Sequence, residues 1–291
     1  MTDTSAGCGD DAGGIVRPAR RPPAWRAPGP APLAPLERAD LWPRRDEDLC
    51  YLAGEWRILQ RIDGHRWSLD DLVTAWCAAT RLAAEPPRRL ADLGCGIGSV
   101  LLLLAWRFPE ARCVGVEAQE MSAALACRSI AWNGAAARCE IRHGDLRDPT
   151  VLPDARTFDL VTGTPPYLPP GSATAATHVQ RAQCRIEERG GIEAYCAAAA
   201  RLLAPAAPFV VCAGAGQRVR VAAAAAAAGL AIMTRLDVVP RLGKAPLFAV
   251  YVLERGSPRS PDLAPALVVR DRDGRRTDAF RALRADMGMP P

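Results

Sequence analysis

The chain has 291 residues, 49% apolar and 24% charged, with a net charge of +5. That composition supports a sizeable core and excludes a chain disordered throughout, and the length suits one large domain or one domain with a tail. No uninterrupted apolar stretch approaches the ~18–20 residues of a membrane span, and the N-terminus MTDTSAGCGDD lacks the apolar region of a secretory signal. The ten cysteines include no C-x-x-C pair, and His65, His143 and His178 are scattered. No metal site is therefore expected; reduced thiols in a monomeric cytoplasmic protein are the default. Lys244 is the only lysine among 37 basic residues. Arginine suits phosphate recognition, although a GC-biased genome also produces an arginine- and alanine-rich chain.

Residues 1–45 are rich in Gly, Pro, Ala and Arg (RPARRPPAWRAPGPAPLAP) and read as a disordered tail with polyproline II character. The expected domain covers 46–291: N-terminal elements over 46–88, an alternating core over 89–255, and a C-terminal strand and helix over 256–291. The pattern at 51–62 is that of a hairpin. Ser68 then precedes LDDLVTAWCAATRLA, with Asp70 and Asp71 in the first turn of a capped helix. Strands are predicted at 89–93, 112–117, 139–143, 158–162, 208–213, 231–239 and 247–253. Helices are predicted at 99–108, 120–133, 192–203 and 217–228. Alternating strands and helices give an α/β fold, a mostly parallel seven-stranded sheet with helices on both faces. The last two strands have no helix between them and should pair antiparallel.

The segment LADLGCGIGSVLLLLA sets Asp92, Gly94, Gly96 and Gly98 two residues apart between a strand and a helix, with Cys95 inside the loop. Glycine serves where the backbone turns sharply and a ligand approaches it closely. A leading acid would repel the pyrophosphate of a dinucleotide and fits a cationic or amino-acid-bearing ligand better. Glu117 ends the next strand, 19 residues after Gly98, where a carboxylate can accept both ribose hydroxyls. Asp145 follows the third strand and is placed to accept from an adenine amino group. After the fourth strand comes Thr164-Pro165-Pro166-Tyr167. An amide or heteroaromatic amine is a poor nucleophile, and acceptors for its N–H protons orient it for attack. The Thr164 hydroxyl and the Pro165 carbonyl can do this; the prolines stiffen the loop, and the Tyr167 ring can stack on a planar base.

Together these motifs resemble the class I S-adenosylmethionine-dependent methyltransferases, which have a Rossmann-like fold. The flanks QRIDGHRWSLDDLVTAWCAA and LVVRDRDGRRTDAFRALRADMGMP, with TPPYLPPG and the helix after it, make residues 51–291 similar to a narrower family. This is the bacterial tRNA (adenine-N6)-methyltransferase family acting on valine tRNA, of the methyltransferase small-domain type. The resemblance implies S-adenosylmethionine as cofactor, held by Asp92, Gly94, Cys95, Gly96, Gly98, Glu117, Asp145 and Thr164. Thr164, Pro165 and Tyr167 would be catalytic; Pro166, Tyr167, Arg181 and Arg185 would contact a tRNA partner, with Arg189 and Arg241 as further phosphate contacts. Thr164 departs from the Asn or Asp of the family pattern. A protein side-chain amide, a small molecule, or a non-catalytic role on RNA or a partner protein are the alternatives.

Overall fold

The computed structural model describes residues 13–32, 38–167, 187, 189–257 and 260–291. Among them are two sheets. The smaller contains β1 (Ile15–Val16), β2 (Glu47–Ala53) and β3 (Trp56–Arg61). β2 and β3 form the expected hairpin, and β1 lies parallel to β2.

β1 belongs to the stretch read as a disordered tail, and here the structure corrects that reading: residues 13–32 and 38–45 take defined positions. The Arg21 guanidinium pairs with Glu55 at 2.6 Å and stacks over Trp25 and Tyr51, 5.0 and 4.3 Å from the ring centroids. Arg57 stacks on Tyr51 as well, at 3.9 Å. The planar arginine head covers aromatic surface and bonds carboxylates at once, so a stretch poor in branched apolar residues still gains enough contact to order. Residues 1–12 and 33–37 lie outside the described residues.

The larger sheet contains β4 (Arg89–Leu93), β5 (Arg112–Glu117), β6 (Cys139–His143), β7 (Leu160–Gly163), β8 (Phe209–Gly214), β9 (Leu230–Val239) and β10 (Phe248–Arg255). Their order is β9-β10-β8-β7-β4-β5-β6. The strands from β4 to β8 are mutually parallel, and β10 runs antiparallel to both β8 and β9. Two short strands, β11 (Asp262–Leu263) and β12 (Leu267–Val268), extend the edge at β9. The fourth predicted strand starts late: Phe158 makes only an isolated bridge to Leu203.

Among the described residues the α-helices are α1 (Leu69–Arg81), α2 (Ser99–Arg107), α3 (Glu120–Trp132), α4 (Ile192–Leu202), α5 (Arg218–Ala227) and α6 (Asp278–Asp286). The strands alternate between two cores, as the period of 2 requires. On β10, Phe248, Val250 and Val252 join the core under α1, α2 and the hairpin, while Ala249, Tyr251 and Leu253 join the core under α4 and α5. Successive strands run outward from β4 on one side to β5 and on the other to β7. Such a reversal opens a crevice at the carboxyl ends of the strands.

Candidate functional site

The loop that leaves β4 is forced into shape by its glycines. Gly94 and Gly96 take φ of +58° and +57°, a left-handed backbone that other residues adopt at a cost. At Gly94 a Cβ would sit 2.0 Å from the Tyr195 Oη; at Gly96 it would meet no atom within 4 Å. Gly94 is thus packed against α4, and Gly96 faces open space.

That space is a cavity of about 540 Å³ at the strand ends. Of the sequence-predicted residues, Gly94, Cys95, Gly96, Glu117 and Asp145 line it from the glycine loop, β5 and the turn after β6. Thr164, Pro165, Pro166 and Tyr167 line it from the loop after β7. Gly98 packs against Ala126 rather than the cavity, and Asp92 is buried behind the loop. Arg189 also lines the cavity, whereas Arg241 is exposed beyond β9. Arg181, Arg185 and His178 lie outside the described residues.

Glu117 is buried, which pushes its carboxyl above the usual range. Its two oxygens accept from the backbone N–H groups of Gly96 and Gln119, at 2.8 and 2.7 Å. Each oxygen keeps a further lone pair, enough for a vicinal diol. Asp92 accepts from the Thr162 hydroxyl at 2.8 Å, and its second oxygen is buried with no hydrogen-bond partner. Burial lifts this carboxyl to about 7. Asp145 is held in a fork by Arg147, 2.6 Å at the shortest contact, which keeps it below the ordinary carboxylate range.

Several residues lining the cavity have little sequence signature. Asp70 and Asp71 read as helix-capping acids, and Asp71 does accept the Ser68 N–H at 2.9 Å. Both also line the cavity, and burial, then the neighbouring Asp70, pushes the Asp71 carboxyl up. The Tyr167 hydroxyl donates to Asp70 at 3.1 Å and lies 2.9 Å from the Cys212 sulfur, while Gln217 donates to the Tyr167 carbonyl at 3.1 Å. Tyr195 comes from an alanine-rich helix; its ring lies where side chains on both Gly94 and Gly163 would collide with it.

The cavity therefore combines an open glycine backbone, the two acceptor oxygens of the Glu117 carboxylate, and an orphan acid oxygen of Asp92 behind the loop. This set fits S-adenosylmethionine: acids for its cationic amino group and sulfonium, and Glu117 for its ribose.

Residues 90–182 match a protein family described as a methyltransferase domain. The chain is 34% identical over 136 residues to a tRNA1(Val) (adenine(37)-N6)-methyltransferase from Porphyromonas gingivalis, an alignment covering 46% of this chain and 52% of that protein. It is 36% identical over 121 residues to a release factor glutamine methyltransferase from Geobacter sulfurreducens, covering 40% of this chain and 39% of the relative. The chain thus spans about half the length, or less, of these relatives. A predicted O-methyltransferase from Agrobacterium tumefaciens has the same fold, with a TM-score of 0.60 at 18% identity, over 76% of this chain and 98% of that one.

Proposed function

Because the chain carries a class I S-adenosylmethionine-dependent methyltransferase domain, we propose that it is an N-methyltransferase acting on the exocyclic N6 amine of an adenine in tRNA. One observation carries this reading: the Thr-Pro-Pro-Tyr loop and the Gly96–Glu117 pair face one cavity. The similarity to a tRNA adenine methyltransferase supports the choice of acceptor.

When bound, S-adenosylmethionine supplies a methyl group made electrophilic by the adjoining sulfonium. Glu117 binds the ribose, and Asp92 with Asp71 offsets the positive charge. The Thr164 hydroxyl and the Pro165 carbonyl accept the two N–H protons of the acceptor amine and aim its lone pair inward. Two successive prolines keep that loop from relaxing. Tyr167, tethered through its hydroxyl to Asp70, holds its ring as a fixed surface for the base. The acceptor nitrogen would gain the methyl group as the donor's S–CH3 bond breaks, leaving the neutral thioether S-adenosylhomocysteine, and would release one proton to solvent, so no residue need form a covalent bond.

Thr164 favours one second reading. A hydroxyl reaches less far than an Asn amide and can also donate, which suits a different planar nitrogen, such as a protein glutamine amide. The glutamine-methylating relative has that acceptor type. Incubation with labelled S-adenosylmethionine and either total tRNA or protein extract separates the two. N6-methyladenosine in digested tRNA supports the first. Label confined to a glutamine side chain removes it, and failure to bind the cofactor in calorimetry removes both.

A further inference from the structure

The lining of the cavity is rich in acids: Asp70, Asp71, Glu117 and Asp145 all contribute. Such a wall suits the positive parts of a zwitterionic ligand but leaves an anion without a partner. Among the described lining residues, the side chains able to carry positive charge are His65, Arg66 and Arg189. The charges of Arg189 and His65 act on Glu117, and that of Arg189 also on Asp145. Both therefore belong with the end of the cavity assigned to the nucleoside.

Arg66 differs. It sits on the short link between β3 and α1, and its Nη2 lies 2.9 Å from Asp48 Oδ2. The Asp48 side chain is fully buried, at 0% exposure. The same carboxylate oxygen holds Arg17, from the segment that carries β1, at 2.7 Å. One negative charge is thus shared by two guanidiniums, and one positive charge remains in surplus. Because Arg17 takes part of Asp48, the carboxylate fixes Arg66 without neutralising it. The Arg66 side chain is 34% exposed, and a guanidinium carries five N–H donors in a rigid fork suited to carboxylate or phosphate.

We propose that Arg66, fixed by the buried Asp48 and left charged by Arg17, forms an anion subsite in the cavity wall for a carboxylate or phosphate oxygen. The inference rests on the methyl-transfer reading above. The two sources of that oxygen are the amino-acid carboxylate of the methyl donor and a phosphate of the acceptor RNA.

Calorimetry on the whole chain tests it with two nucleosides. S-adenosylhomocysteine keeps the amino-acid carboxylate; methylthioadenosine lacks the amino acid. Arg66→Met is expected to weaken S-adenosylhomocysteine at least about tenfold, the scale of a charge-assisted hydrogen bond. It should leave methylthioadenosine within about twofold, and Arg66→Lys should recover part of the loss. If both nucleosides bind as before while affinity for a tRNA transcript falls about tenfold, the subsite takes phosphate. Unchanged binding of all three ligands overturns the subsite and leaves the methyl-transfer reading standing. Loss of methylthioadenosine along with the rest makes Arg66 merely structural, which also overturns it. Wild-type protein that binds neither nucleoside overturns the methyl-transfer reading itself.

Discussion

Two glycines in one loop should fail in different ways when given a methyl group. At Gly94, alanine must hold φ near +58°, which costs about 1–2 kcal/mol. Its Cβ would also lie 2.0 Å from the Tyr195 Oη and 2.9 Å from Cζ. The ring is buried and cannot swing aside freely, and Gly163 already lies along the same Cδ1–Cε1 edge, where a Cβ would be 2.7 Å from Cδ1. Overpacking of this kind costs about 1–3 kcal/mol. Gly94→Ala should therefore destabilise the chain by about 2–5 kcal/mol, or about 5–15 °C in Tm for a domain of this size. At Gly96 the backbone strain is similar, with φ +57°, but the new methyl meets nothing. Gly96→Ala should lose only about 1–2 kcal/mol of stability and yet weaken S-adenosylhomocysteine at least about tenfold, since the methyl occupies ligand space. Urea unfolding and calorimetry on both variants check this. Equal destabilisation, or unaltered ligand affinity for Gly96→Ala, would refute the assignment of one glycine to packing and the other to the ligand.

Asp92 makes stability depend on pH. Its carboxyl rises from 3.8 to about 7 on folding because it is buried, so between those values the folded chain holds more protons than the unfolded one. Its contribution is complete below about 4 and is lost as pH rises to about 7. Asp92→Asn should flatten this part of the profile in urea unfolding from pH 5 to 8 and keep the contact with Thr162, yet abolish cofactor binding; a profile identical to wild type would be inconsistent with the burial argument. Tyr167→Phe removes the hydroxyl contact to Asp70 and should cost about 0.5–1.5 kcal/mol of stability while S-adenosylhomocysteine affinity stays the same, as calorimetry would show. Thr164→Asn should keep or raise adenine-directed methylation of tRNA, measured as N6-methyladenosine; a large drop would mean the pocket is built for another nitrogen.

The parallel core is readable from the chain because each strand carries its own short apolar run and each helix its own period. Strands β4, β5 and β6 keep the bounds that alternation alone predicts. The glycine loop, Glu117, Asp145 and the Pro-Pro-Tyr loop are legible for the same reason: each is a local pattern whose place follows from the strand it ends. What is hidden is the meeting of distant segments. Asp70 and Asp71 satisfy a helix terminus so well that nothing in their spacing betrays a second duty in the cavity. Tyr195 stands among alanines, and only the fold shows the two glycines that make room for it. The insertion of β10 between β8 and β9 likewise depends on a chain reversal rather than on any residue.

The sharp change of composition near residue 46 looks like a seam along which the protein could be trimmed. It is not one. β1 crosses it to cover the outer edge of β2, and Arg21 lies across the rings behind it. A shortened protein would offer bare amide and carbonyl groups to its neighbours, an invitation to edge-to-edge aggregation. Preparations that keep the proline- and arginine-rich leading segment should stay dispersed where trimmed ones clump.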